Sequence, residues 1–253
     1  MLELTIATYH QALLEKQLTT EELVAFYLDR IQRFDNTLSS IICVNPAAGE
    51  LARACDDCLR KTGKLCGSLH GVPVLVKDNI ETADMPTTAG SLSLEGFNTG
   101  KDADLVKRLK AAGAIILAKT NLHEFAIWGE SISSIKGQTY NPYDLSRTPG
   151  GSSGGTGAAL AANFGLAGIG TDTINSIRSP SSANNLVGIR PTVGLVSNDG
   201  IVPYSLTQDT AGPMARNVAD AAAVLKVIAV RELPEAPASD SPKIGVLRSF
   251  FGS

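Results

Sequence analysis

The chain has 253 residues, 43% of them hydrophobic and 19% charged, with a formal net charge of -3. That profile suits a globular protein with one large domain or two small ones. It gives no basic field for nucleic acid, and aromatic residues, at 5%, are too sparse for base-stacking platforms.

In chain order, the first sixty residues read as helices. Thr19-Thr20-Glu21-Glu22 has the capping-box pattern, and Leu23, Val24, Phe26, Tyr27 and Ile31 follow at helical spacing. The opening MLELTIATYHQALLEK lacks a basic stretch followed by an apolar core, so no signal peptide is read and a cytoplasmic location is the default expectation. A second helix is expected over residues 46–61. Within it Cys55 and Cys58 form a CxxC, but no second CxxC or His pair follows, so Cys43, Cys55, Cys58 and Cys66 read as structural and no metal site is expected.

The texture then changes. Residues 72–76 and 114–118 are short apolar runs typical of buried strands, with a helix between them over residues 104–112 ended by Gly113. Further strands are expected over residues 166–170, 186–189 and 243–247, with a helix over residues 217–230. This order predicts an α/β fold with a mixed central sheet flanked by helices. The longest apolar runs, such as residues 221–230, fall short of the roughly 20 residues of a membrane span. A Pro-rich linker precedes the last expected strand, so the expected division is residues 1–62, 63–232 and 233–253. The fold is expected to be incomplete at its C-terminus.

One run demands a chemical reading. In RTPGGSSGGTG, from Arg147 to Gly157, every residue after the arginine is Gly, Ser, Thr or Pro. A flexible linker is a poor reading, because the run leads straight into the small-residue helix Ala158-Ala159-Leu160-Ala161-Ala162. A phosphate loop is also poor, because GxxxxGK[ST] is absent. A catalytic rim needs a nucleophile and a base. Downstream lies GTDTINSIRSP from Gly170 to Pro180, and upstream lies GVPVLVKDN from Gly71 to Asn79.

Together with VGIRPTVGLVS and QDTAGPMARNVADAA, these motifs resemble the amidase signature family of serine hydrolases, most closely its peptide-amidase-like branch. Any one serine or strand-end lysine is ordinarily a cap or a solvated charge. The ordered joint occurrence of the motifs carries the resemblance. It implies that Ser176 is the nucleophile, Ser152 a bridging serine and Lys77 the base, with backbone N–H groups of Thr173, Ile174, Asn175 and Ser176 as the oxyanion hole. A serine hydroxyl needs such a base, and a lysine becomes one only if burial disfavours its charge. The family pattern has glycines where this chain has Ile174-Asn175, which bears on hole geometry and substrate room. Asp78 and Asp172 are expected to hold loops, and His10, His70 and His123 to be structural. Arg178 either anchors the loop or faces the pocket.

The implied activity is hydrolysis of a small-molecule or peptide carboxamide, with no cofactor, no nucleic acid and no membrane. Substrate-binding residues are not identified. Two alternatives stand beside it: a truncated or inactive amidase-fold protein used in binding or assembly, and the amidase subunit of an aminoacyl-tRNA transamidation complex. Homo-oligomerisation and completion by a missing C-terminal portion are both left open.

Overall fold

The computed structural model describes residues 3–233, together with Ser241 and Arg248. The strand expected over residues 243–247 lies outside the described residues. Two helices open the chain, α1 (Ile6–Leu14) and α2 (Thr20–Leu38). Thr19 caps α2 through the expected box: its side chain accepts from the Glu22 N–H, and Glu22 returns a carboxylate to the Thr19 N–H.

The all-helical expectation for the first sixty residues is corrected by a short strand, β1 (Ile41–Val44). Its sequence, IICV, is β-branched and short, and it pairs antiparallel with β3 (Ile115–Thr120). Between them come α3 (Ala48–Thr62), β2 (Pro73–Lys77) and α4 (Asp104–Ala111). Gly113 follows α4 with φ +90, a left-handed exit that glycine allows without strain. On α3 the CxxC does not act as a pair, since Cys58 is disulfide-bonded to Cys66 and Cys55 is free.

A two-stranded ribbon, β4 (Ile132–Ser133) with β5 (Gly137–Gln138), precedes α5 (Gly154–Ala161), β6 (Ala167–Asp172), α6 (Arg178–Ala183) and β7 (Val187–Gly188). Strand β8 (Thr210–Ala215) and helix α7 (Val218–Ile228) follow. Sequence reading misses β8, because TAGPMA has none of the β-branched density that marks a strand.

The main sheet has six strands in the order β1-β3-β2-β6-β8-β7. Its centre, β3-β2-β6, is parallel, and the outer pairings are antiparallel, so the sheet is mixed and flanked by helices. Every residue of β2, β3, β6 and β8 is buried. The crossover from β2 to β3 runs one way along the sheet, and that from β3 to β6 runs back across β2. By the right-handed rule for crossovers between parallel strands, α4 and α5 cover opposite faces. Helix α5 is built of small residues because it lies very close to the chain: a Cβ on Gly155 would collide with the Asn121 backbone. The carboxyl ends of parallel β2 and β6 therefore lie side by side, where open α/β sheets place ligands.

Candidate active site

Strand β2 ends in Lys77, and the parallel register Val76↔Ile169 brings the end of β6 alongside it. Lys77 is fully buried, with Nζ 2.7 Å from Ser152 Oγ, 2.8 Å from Thr171 Oγ1 and 3.4 Å from the Thr171 carbonyl. Burial pulls its pKa down to about 7, against the opposing pull of Asp172 and Asp209. A neutral lysine amine has two N–H donors and one lone pair. Directing both donors at Thr171 leaves the lone pair to accept the Ser152 hydroxyl proton.

Ser152 is buried in the turn before α5, and its peptide bond to Gly151 is cis. Gly150 precedes it with φ +72, and a Cβ there would come within 2.9 Å of Ser179 Oγ, so the glycine serves both conformation and space. The neighbouring Ser153 stitches the site together. Its Oγ donates to the Thr171 carbonyl at 3.2 Å and accepts the Thr171 N–H at 3.3 Å, and its own N–H donates to the Ser176 carbonyl at 3.3 Å. The expected residues Lys77, Ser152 and Ser176 thus converge on one locus. Lys77 and Ser152 touch, while no hydrogen bond joins Ser152 Oγ to Ser176 Oγ among the described residues.

The segment from Thr173 to Ser176 leaves the end of β6. Ser176 is buried, whereas the Ile174 side chain is 68% exposed. The N–H groups of Thr173, Ile174, Asn175 and Ser176 meet no protein acceptor among the described residues. Neither Ile174 nor Asn175 takes positive φ, so the loop holds its shape without the left-handed geometry that glycine would permit. Asp172 and Arg178 fix that shape. Asp172, buried, accepts from the Ile177 N–H at 2.9 Å, from Arg178 Nε at 3.3 Å and from Arg190 Nε at 3.3 Å. Burial works against its charge, but the hydrogen bonds from Arg178 and Ile177 prevail and hold its carboxyl below the usual value. Arg178 also binds the Ile174 carbonyl, so of its two expected roles it anchors the loop.

Asp78 likewise holds structure. It accepts from the Thr88 N–H and hydroxyl, and forms a fully buried ion pair with Lys119 at 2.9 Å. The histidines have local roles: a His10 ring nitrogen lies 3.0 Å from the His70 carbonyl, and His70 Nδ1 accepts from the Cys66 N–H at 3.2 Å.

Sequence reading missed several residues that complete the site. Asn79 donates to Thr171 Oγ1 at 3.0 Å, so it shares the hydroxyl that meets Lys77. Asp209 binds Thr173 Oγ1 at 2.5 Å and the N–H groups of Tyr204 and Ser205 at 2.8 Å each. Ser131 donates to the Gly150 carbonyl at 2.8 Å and accepts the Gly154 N–H at 2.9 Å. Asn79 and Thr171 stand beside Lys77 and Asp172 in the quoted motifs, a signal that was there to use. Asp209 likewise stands in the quoted run QDTAGPMARNVADAA, whereas Ser131 carries no local signal. Phe125, Ala126 and Ser131 have φ of 51, 59 and 59, three non-glycine left-handed residues in one loop beside the site. That loop and the Thr173–Ser176 segment line a cavity of about 400 Å³.

The sequence profile of the Amidase family matches residues 22–249. A glutamyl-tRNA(Gln) amidotransferase subunit from Myxococcus xanthus is 39% identical over 264 residues, which is 98% of this chain and 54% of that protein. The peptide amidase of Stenotrophomonas maltophilia has a solved structure with TM-score 0.87 and 48% identity, covering 91% of this chain and 49% of that one. An amidase family protein from Bacillus anthracis has TM-score 0.87 and 39% identity, covering 91% and 47%. The chain spans about half the length of the relatives it matches. With a profile match over most of its length and a fold shared with the peptide amidase over 91% of the chain, the chain belongs to the amidase family.

Proposed function

We propose that this chain hydrolyses a carboxamide through an acyl-enzyme on Ser176. Ser176 Oγ attacks the carbonyl carbon as its proton passes by way of Ser152 to neutral Lys77. The C–N bond then breaks, and ammonia or an amine leaves with the proton that Lys77 returns through the same serine. Water, deprotonated by the same route, hydrolyses the ester and frees the acid and Ser176. The oxyanion formed at each addition is met by N–H groups from Thr173 to Ser176, each worth ~3 kcal/mol of barrier.

The observation that carries this reading is a fully buried lysine, held near neutrality and in contact with a serine hydroxyl. A structural lysine buried at this cost is ordinarily paired with a carboxylate, as Lys119 is with Asp78. Among the described residues, Lys77 has only hydroxyl and carbonyl partners.

A second reading, an amidase subunit working within a transamidation assembly, draws support from the name of the Myxococcus relative. Intact-mass spectrometry after fluorophosphonate treatment tests the first reading. Stoichiometric labelling that disappears in Ser176→Ala and falls sharply in Lys77→Ala is expected. No labelling of the folded chain alone, with labelling restored by added partner subunits, favours the second.

A further inference from the structure

Four large apolar side chains that sequence alone leaves unexplained meet at one place. Ile127, Trp128, Ile174 and Tyr204 are 54%, 67%, 68% and 48% exposed, and all four line the same cavity of about 400 Å³ as Ser176. Single exposed apolar residues need no explanation, whereas a cluster around a concave site does. The volume falls in the range of small-molecule sites, which are apolar with a few convergent polar groups. Here the polar groups include the Ser176 hydroxyl, the N–H groups beside it and the side chains of Thr173 and Asn175. Glu130 is the one charged lining residue among the described residues, so an anionic substrate group meets repulsion. Ile174 occupies a position where the family pattern has glycine, and its carbonyl is tied down by Arg178, so its backbone is anchored two residues before Ser176.

We propose that this cavity selects neutral amides carrying a bulky apolar group next to the scissile carbonyl, with Ile174 and Trp128 as specificity-determining residues. The inference rests on Ser176 being the reacting residue.

Trp128 is the sole tryptophan of the chain and therefore reports on the cavity directly. Its emission is followed in Ser176→Ala, which binds without turnover, during titration with phenylacetamide, glutamine and succinamate. Phenylacetamide is expected to shift the emission to the blue and to bind at least about 10-fold tighter than the other two. Adding Ile174→Gly should cut that preference about 3-fold or more, and the exposed side chain makes the variant safe for folding. In the wild-type chain, the same amides should protect Ser176 from fluorophosphonate in the same order, and Trp128→Ala should weaken protection by phenylacetamide alone. Equal affinities, or tighter binding of glutamine, overturn the inference while labelling of Ser176 upholds the hydrolase reading. A clear preference for phenylacetamide without any labelling of Ser176 sinks the hydrolase reading and the substrate inference with it, leaving an apolar binding cavity alone.

Discussion

Thr171 takes two of the three polar contacts of Lys77 Nζ, through its hydroxyl at 2.8 Å and its carbonyl at 3.4 Å, and leaves Ser152 Oγ as the third. This divides the lysine's work: Thr171 consumes the donors, and the lone pair is aimed at the serine. Asn79 holds the threonine hydroxyl from the other side. Thr171→Val keeps the shape and removes the hydroxyl acceptor. The rate of Ser176 labelling should fall about 10- to 100-fold. Its acid limb should move to lower pH, because an acceptor that favoured the ammonium is gone. Thr171→Ser should recover most of the rate, a rescue that a purely structural role for the residue does not give.

The lysine itself sets a pH profile. Labelling of Ser176 should rise as Lys77 loses its proton near pH 7, then level off. Stability has its own sign. Burial lowers the folded pKa to about 7, from about 10.4 in the unfolded chain, so between those values the unfolded chain binds more protons than the native one. Native stability should therefore increase with pH across that window, by up to about 1.4 kcal/mol per unit. Urea titrations at pH 7 and 9 check it, and Lys77→Met should flatten the difference. A profile falling with pH for the wild type but not the variant sinks the assignment.

The Asp78–Lys119 pair has no solvent to turn to when broken. Lys119 also donates to the Pro86 carbonyl and Thr87 Oγ1 at 2.9 and 2.8 Å. Asp78→Ala leaves a buried ammonium without its counter-charge and should cost about 3–5 kcal/mol in urea unfolding. Combining it with Lys119→Met should recover a large part of that loss. If the double variant is as unstable as the sum of the two singles, the pair is not coupled.

Gly170 lies on β6 just before Thr171. A Cβ there would stand 2.8 Å from Ser153 Oγ and 3.1 Å from Ile177 Cγ1. Gly170→Ala should push Ser153 away from both Thr171 and Ser176. The expected result is a loss of about 1–3 kcal/mol in stability, with labelling reduced well beyond the folded fraction. Gly165→Ala, in the turn before β6 with Leu75 Cγ at 3.0 Å, serves as the packing control and should leave the labelling of folded protein intact.

Strands β2, β3 and β6 were legible because they are buried on both faces and read as continuous apolar or small-residue runs bounded by glycine. Helix α2 announced itself by its cap. Strand β8 was hidden by Gly212 and Pro213, residue types that seldom occur inside a strand; Pro213 lies just past the last β7 pairing, Gly188↔Met214, where its carbonyl accepts the Ile189 N–H. Strand β1 was too short to rise above the helices on either side. At the site, the residues in ordered motifs could be named in advance. Ser131 and Trp128 could not, because they lie outside those motifs and nothing in their local sequence says that they return to the site. Whether Arg178 anchors or binds depended on the Ile174 carbonyl, which only the folded loop brings within reach.

Lys77 and Asp78 are chain neighbours with opposite destinations: the first turns to Ser152 and Thr171, the second to Thr88 and Lys119. A slip of β2 by one residue exchanges the two faces. In an ordinary apolar strand such an error replaces one hydrocarbon with another and is forgiven in part. Here it would set a carboxylate against the Ser152 hydroxyl and an ammonium beside Lys119. Misregistered chains would then be expelled by their own charges, so the adjacent lysine and aspartate act as a proofreading mark for the alignment of the strand that carries them into the site.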